Sequence, residues 1–205
     1  MGKPSHRRRP SISTMNSPTA STQASTAAGA LTRQALQLAT RVLDLAEIYR
    51  KPHDMCQATA QVARCLKAMQ DCASAEAYLM KSMAWAACIP GVDARVDLLC
   101  ELSEVVCTLA ETESDDDAMA RRATFERARD HAFEAASLAH RTADPQWEVK
   151  VLLRASDVLN RCGDHDDATS MQDRAITLLG LQPDPDGAGD APTEGLHAST
   201  PNLLM

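Results

Sequence analysis

The sequence predicts an all-α protein built as a row of stacked helical hairpins. Three observations carry that expectation. Ala35, Ala75, Ala128 and Ala168 are each followed seven residues later by Val42, Ser82, Ala135 and Ala175. In step with this frame, Ala46, Ala86 and Ala139 each lie 17 residues before Ala63, Ser103 and Ser156, and three residues after those come Leu66, Val106 and Leu159. Such self-similarity in helix-forming segments is the mark of a repeat array. The third observation is composition: the 205 residues include only two each of Trp, Tyr and Phe, whereas Ala, Leu and Met are plentiful, which favours closely packed helices over a sheet.

Residues 1–28 are basic and rich in Ser and Thr without apolar periodicity, so they form an expected disordered tail. Residues 29–180 are the expected repeat domain, of seven helices. The first runs from about Ala30 to Arg50 with Ala35, Leu38, Ala39, Val42, Leu45, Ala46 and Tyr49 at helical spacing. Lys51-Pro52-His53 breaks it, and Asp54 with Gln57 suits the capped start of a second helix through Val62, Leu66 and Met69. A third spans Ala73 to Cys88 and stops at Pro90-Gly91. The fourth spans Val92 to about Ala110, with Val96, Leu99, Leu102, Val106 and Leu109 on its buried side.

Ser114 with Asp117 three residues on reads as the cap of a fifth helix, and Asp115, Asp116 and Asp117 suit the positive end of its dipole. That helix extends to about Arg141. Asp144-Pro145 is a cap followed by proline at the first helical position, which opens a sixth helix through Trp147, Leu152, Ala155 and Leu159. Gly163 closes it, and the seventh helix starts in Asp164-His165-Asp166-Asp167 and ends near Gly180. Residues 181–205 hold Pro183, Pro185, Pro192 and Pro201 among Gly and Asp, and read as a second disordered tail.

The net charge of −7 is split along the chain. Six of the 21 basic side chains precede the first carboxylate, Asp44, and all 28 carboxylates follow, so the head carries about +6 and the rest about −13. An acidic body lacks the clustered basic face that nucleic acid requires. No run approaches the 18 or more apolar residues of a membrane span. The seven cysteines, at 56, 65, 72, 88, 100, 107 and 162, lack CxxC spacing and read as free thiols of a cytoplasmic protein that serve as small apolar residues. Cys65 with Cys72, and Cys100 with Cys107, are seven apart and so fall on one helix stripe each.

At the last hairpin Leu152, Ala155, Ser156, Leu159, Gly163, Ala168 and Ala175 stand in the order of a tetratricopeptide repeat, and the chain resembles that family over residues 35–180. Corresponding positions are Thr59, Val62, Ala63, Leu66, Ala75, Leu79 and Ser82 in the first hairpin. The second has Leu99, Leu102, Ser103, Val106, Ala128, Ala132 and Ala135. The period of 40 exceeds the family's usual 34, and the second hairpin carries 13 extra residues around Thr112 to Thr124, so the longer-helix variants are the nearer relatives. The resemblance implies an α-solenoid of about three hairpins with an N-terminal capping helix.

It also implies a non-enzymatic scaffold or adaptor, whose groove is lined by the first helix of each hairpin and takes a peptide or partner helix. Groove positions would be Gln57, Arg64 and Lys67, then Asp97 and Glu104, then Lys150, Arg154, Asp157, Asn160 and Arg161. A clamp for a terminal carboxylate is not expected, because Ala60, Arg64 and Glu101 stand where the family's clamp needs a basic residue and two asparagines. No nucleophile with its base, working carboxylate pair or metal cluster stands out, so no catalytic, cofactor or metal site is assigned. The unpaired apolar faces at the ends of an array leave room for a homodimer through the terminal repeats. The basic head keeps open an alternative: an exported bacterial effector, or a cytosolic secretion chaperone, built on the same repeat.

Overall fold

The computed structural model describes residues 20–114 and 117–180. Among them are seven helices and no strand: α1 (Ala20–Tyr49), α2 (Pro52–Ala68), α3 (Cys72–Ala86), α4 (Asp93–Thr112), α5 (Ala118–His140), α6 (Pro145–Cys162) and α7 (His165–Leu178). Each helix packs on the next in the chain, and α4 also packs on α6. Among the described residues, helices more than two apart in order share no substantial interface, so the row stays open and does not close round a single middle. This is a solenoid-like stack of the hairpins α2–α3, α4–α5 and α6–α7, with α1 at one end.

The repeat frame marks the surfaces that touch. Ala75, Ser82, Ala128, Ala135, Ala168 and Ala175 are all buried, which lets the two helices of each hairpin approach closely. In the first hairpin Ser82 Oγ donates to the Cys56 carbonyl at 2.7 Å across that contact, so its buried hydroxyl is satisfied. Helix α4 is covered on opposite sides. Leu98, Leu102 and Val105 pack toward α2 and α3, while Val96, Leu99 and Cys100 pack toward α5 and α6, and Val106 and Cys107 toward α5, α6 and α7.

Several sequence expectations shift. Helix α1 begins at Ala20, inside the segment read as a tail; residues 1–19 and 181–205 lie outside the described residues. Its buried stripe is Ala39, Leu43 and Ala46, with Leu36 beside it, whereas Ala35, Leu38, Val42, Leu45 and Tyr49 are exposed. Helix α2 starts at Pro52, the first helical position, after Lys51, so Asp54 lies in its first turn and does not cap it. Asp71 caps α3 by accepting from the Ser74 amide, and this break puts Cys65 and Cys72 on different helices. The α5 cap is Asp117, which accepts from the Ala120 amide at 3.0 Å, and not Ser114. Asp115 and Asp116 lie outside the described residues.

The Asp144 cap and Gly163 stop of α6 are as the sequence predicts: the Asp144 carboxylate accepts from the amides of Gln146 and Trp147. Gly163 has φ +87°, and the Asp164 amide reaches back to the Leu159 carbonyl at 2.9 Å, a closed left-handed cap. Gln70 ends α2 in the same way at φ +65°, where a β-carbon is a burden. Gly163→Ala should therefore cost about 1 kcal/mol and Gln70→Gly should restore a similar amount. Nothing lies within 4 Å of a methyl added at Gly163, so the first cost is conformational alone; urea denaturation of both variants checks the opposite signs.

Candidate functional site

Helices α2, α4 and α6 stand side by side and carry the charged residues expected to line a groove. Their side chains are largely spent on one another. The Arg64 guanidinium donates to both oxygens of Glu101, from Nη2 at 2.7 Å and Nε at 3.1 Å, which joins α2 to α4. One turn on, Lys67 Nζ reaches Glu104 Oε2 at 2.6 Å, and the other oxygen of that carboxylate takes Arg154 from α6, with Nε at 2.8 Å. At the far end Arg161 grips Glu111 through two bonds of 2.8 Å and donates to Thr108 Oγ1. Glu101, Glu104 and Glu111 thus form an acidic stripe on α4 between two basic ones.

Burial alone would raise the Glu104 carboxyl, but the bonds from Lys67 and Arg154 outweigh it and hold the group below its ordinary value. The Arg161 bonds hold the Glu111 carboxyl low as well. Bidentate and bridging geometry raises such pairs above isolated surface ion pairs, which contribute roughly 0–1 kcal/mol each. Of the ten expected groove residues, Arg64, Lys67, Glu104, Arg154 and Arg161 are therefore positioning residues that fix neighbouring hairpins in register. Asn160 Oδ1 accepts from His165 Nδ1 at 3.1 Å. Lys150 and Asp157 are exposed and apart from the open hollow described next.

The open part of the inner face lies at the N-terminal end, where α1, α2 and the start of α4 enclose a hollow of about 710 Å³. Gln57, Arg64 and Asp97 from the expected set line it. One wall is apolar and comes from α1: Val42, Leu45 and Tyr49, which are 55%, 59% and 73% exposed. The opposite wall is Ile89, Ala94 and Leu98, and Gln57, Gln61 and Asp97 supply polar groups. Burial pushes the Asp97 carboxyl above its ordinary value, and the positive charges of Arg154 and Arg64 offset this only in part. The hollow therefore suits an apolar surface flanked by a cation. Sequence reasoning missed the α1 wall because it counted those side chains as core.

A smaller hollow of about 340 Å³ lies between α5 and the α6–α7 turn, near Arg122, Phe125, Arg129 and Cys162. Arg122 pairs with Glu126 and Arg129 with Asp164, so these cations are already engaged. Elsewhere the buried Glu148 lies 2.6 Å from Arg174 Nη2, which also donates to His140 Nδ1 at 2.5 Å, and the group ties α5, α6 and α7 together. Among the described residues no group of three or more His, Cys, Asp or Glu side chains is placed to hold a metal ion, and no helix is long and apolar enough to cross a membrane.

Fold and inner face define a class: an all-helical array of hairpins with an open hollow at one end. No family model matches this chain, and no curated protein matches it either.

Proposed function

We propose that the chain is a non-catalytic, protein-binding scaffold of the tetratricopeptide type, in the longer-period variant, which holds a partner helix or peptide in the hollow between α1, α2 and α4. The hollow carries the reading: it is large enough for the side chains of a helical segment, and it combines two apolar walls with the polar groups of His53, Asp54, Gln57, Gln61, Arg64 and Asp97. The ladder of ion pairs along α2, α4 and α6 keeps the inner face in shape and engages Arg154 and Arg161 of its C-terminal half. The preferred ligand has an apolar stripe and a basic residue placed for Asp97. A reducing, cytoplasmic setting suits the cysteines, since the Cys100 thiol is pushed up to about 11 by burial and stays protonated at neutral pH.

The test is affinity capture from the native cell with wild-type protein, Ala94→Arg and Lys150→Glu side by side. Ala94 lines the hollow and Lys150 does not. Wild type and Lys150→Glu should recover one shared partner, and Ala94→Arg should lose it by at least about tenfold, the effect of roughly 1.4 kcal/mol at a buried contact. Equal recovery by all three proteins would remove the hollow from the account.

A further inference from the structure

We propose that α1 is a dimerisation helix through which two copies of this chain pair. Leu31, Ala35, Leu38, Val42, Leu45 and Tyr49 are spaced alternately four and three residues apart and all are exposed, so they form one straight seam of the kind that a second helix fills with interlocking side chains.

The repeat says why the seam is bare. Ala35 and Val42 occupy the columns of Ala75 and Ser82, Ala128 and Ala135, and Ala168 and Ala175, which are buried where α3, α5 and α7 pack on their own hairpin partners. Helix α1 has no such partner, because its one substantial contact is α2, made through the separate stripe of Ala39, Leu43 and Ala46. What the seam lacks is a helix, and the occupant must present a matching row of apolar positions about 27 Å long.

Among the described residues, α1 alone offers such a row. The other exposed large apolar side chains are single, as at Met69, Met80, Met119 and Leu153, or a short pair, Ile176 and Leu179 at the end of α7. The sequence of 181–205 holds no proline-free run of that length, since its prolines stand at 183, 185, 192 and 201. The exposed portions of the six seam residues amount to about 600 Å² per chain, at the lower end of the ~600–1,000 Å² that each partner contributes to a stable interface. A two-fold pairing makes each α1 the missing hairpin partner of the other.

The seam shares Val42, Leu45 and Tyr49 with the α1 wall of the hollow, so a second copy seated there competes with the partner proposed above, and the test separates the two. Leu31 and Leu38 belong to the seam but do not line the hollow. Sedimentation velocity of the full chain from about 1 to 100 μM, the range in which an interface of this size associates, should show a species of twice the 22.1 kDa chain mass. Leu38→Glu and, separately, Leu31→Lys should weaken association at least about 100-fold, since each removes two seam contacts per dimer and places charge there. Both sites are more than half exposed, so circular dichroism should stay at the wild-type level. Ile176→Glu, at the other end of the row, should leave association unchanged. A wild-type monomer at 100 μM, or a dimer indifferent to both seam variants, overturns the proposal.

Discussion

Replacing Leu102 by alanine should destabilise the protein by about 3 kcal/mol, the middle of the range for a buried leucine that leaves a cavity. Leu102 is wholly buried among Ala60, Ala63, Ala75, Leu79 and Leu98, where α2 and α3 meet α4. Its neighbours are mostly small and rigid, and they cannot swing in to fill the space. In a body of this size each kcal/mol is worth roughly 2–4 °C, so the melting temperature should fall by about 10 °C. Leu153→Ala, half-exposed on α6, is the control and should shift it by no more than about 2 °C. A Leu102→Ala protein that melts with wild type would mean that α4 is not packed between the first hairpin and the rest.

Reversing the charge at Arg154 should cost about 2 kcal/mol, whereas the same change at Lys150, one turn earlier, should be silent. Arg154→Glu deletes a charge-assisted bond to the Glu104 carboxylate and sets a second carboxylate beside it, on a site only partly screened by solvent. Lys150 is exposed, and among the described residues no ion pair holds it. The pair of variants would separate a binding role from a positioning one, because a residue used only for a partner would leave the melting temperature alone. The difference should also depend on pH. Glu104 has a lowered folded-state pKa, so its stabilisation is complete above the unfolded carboxylate range and is lost as pH falls through the lowered value. Wild type and Arg154→Glu should therefore converge in stability at strongly acidic pH; a gap that stays constant down to that range would show that the bond to Glu104 contributes little.

The number and order of helices are legible in the sequence because caps and breakers mark the joints, as at Asp144-Pro145 and Gly163, and because Ala and Ser recur wherever two helices touch. The facing of α1 is not. Its sequence holds two apolar stripes, and periodicity alone weights the one with Leu38, Val42, Leu45 and Tyr49 above the smaller one with Ala39, Leu43 and Ala46. Only the neighbour decides, and α2 takes the smaller stripe. The groove residues show a second limit. Polar positions on the first helix of each hairpin are visible by repeat alignment, but whether they meet a ligand or each other depends on lateral distance. A signal was present nonetheless, in the helices and not in the aligned columns: the paired charges are basic on α2 (Arg64, Lys67), acidic on α4 (Glu101, Glu104, Glu111) and basic on α6 (Arg154, Arg161), which suits mutual neutralisation between neighbouring helices.

Because α4 is hydrophobic toward both of its neighbours, the hairpins of this chain are not interchangeable bricks. Excising α2–α3 would lay Leu98, Leu102 and Val105 open to water, and excising α6–α7 would do the same to part of the side that holds Val106 and Cys107. Removing either neighbouring hairpin would therefore require α4 itself to be rewritten, so the middle of the row tolerates no loss of a unit.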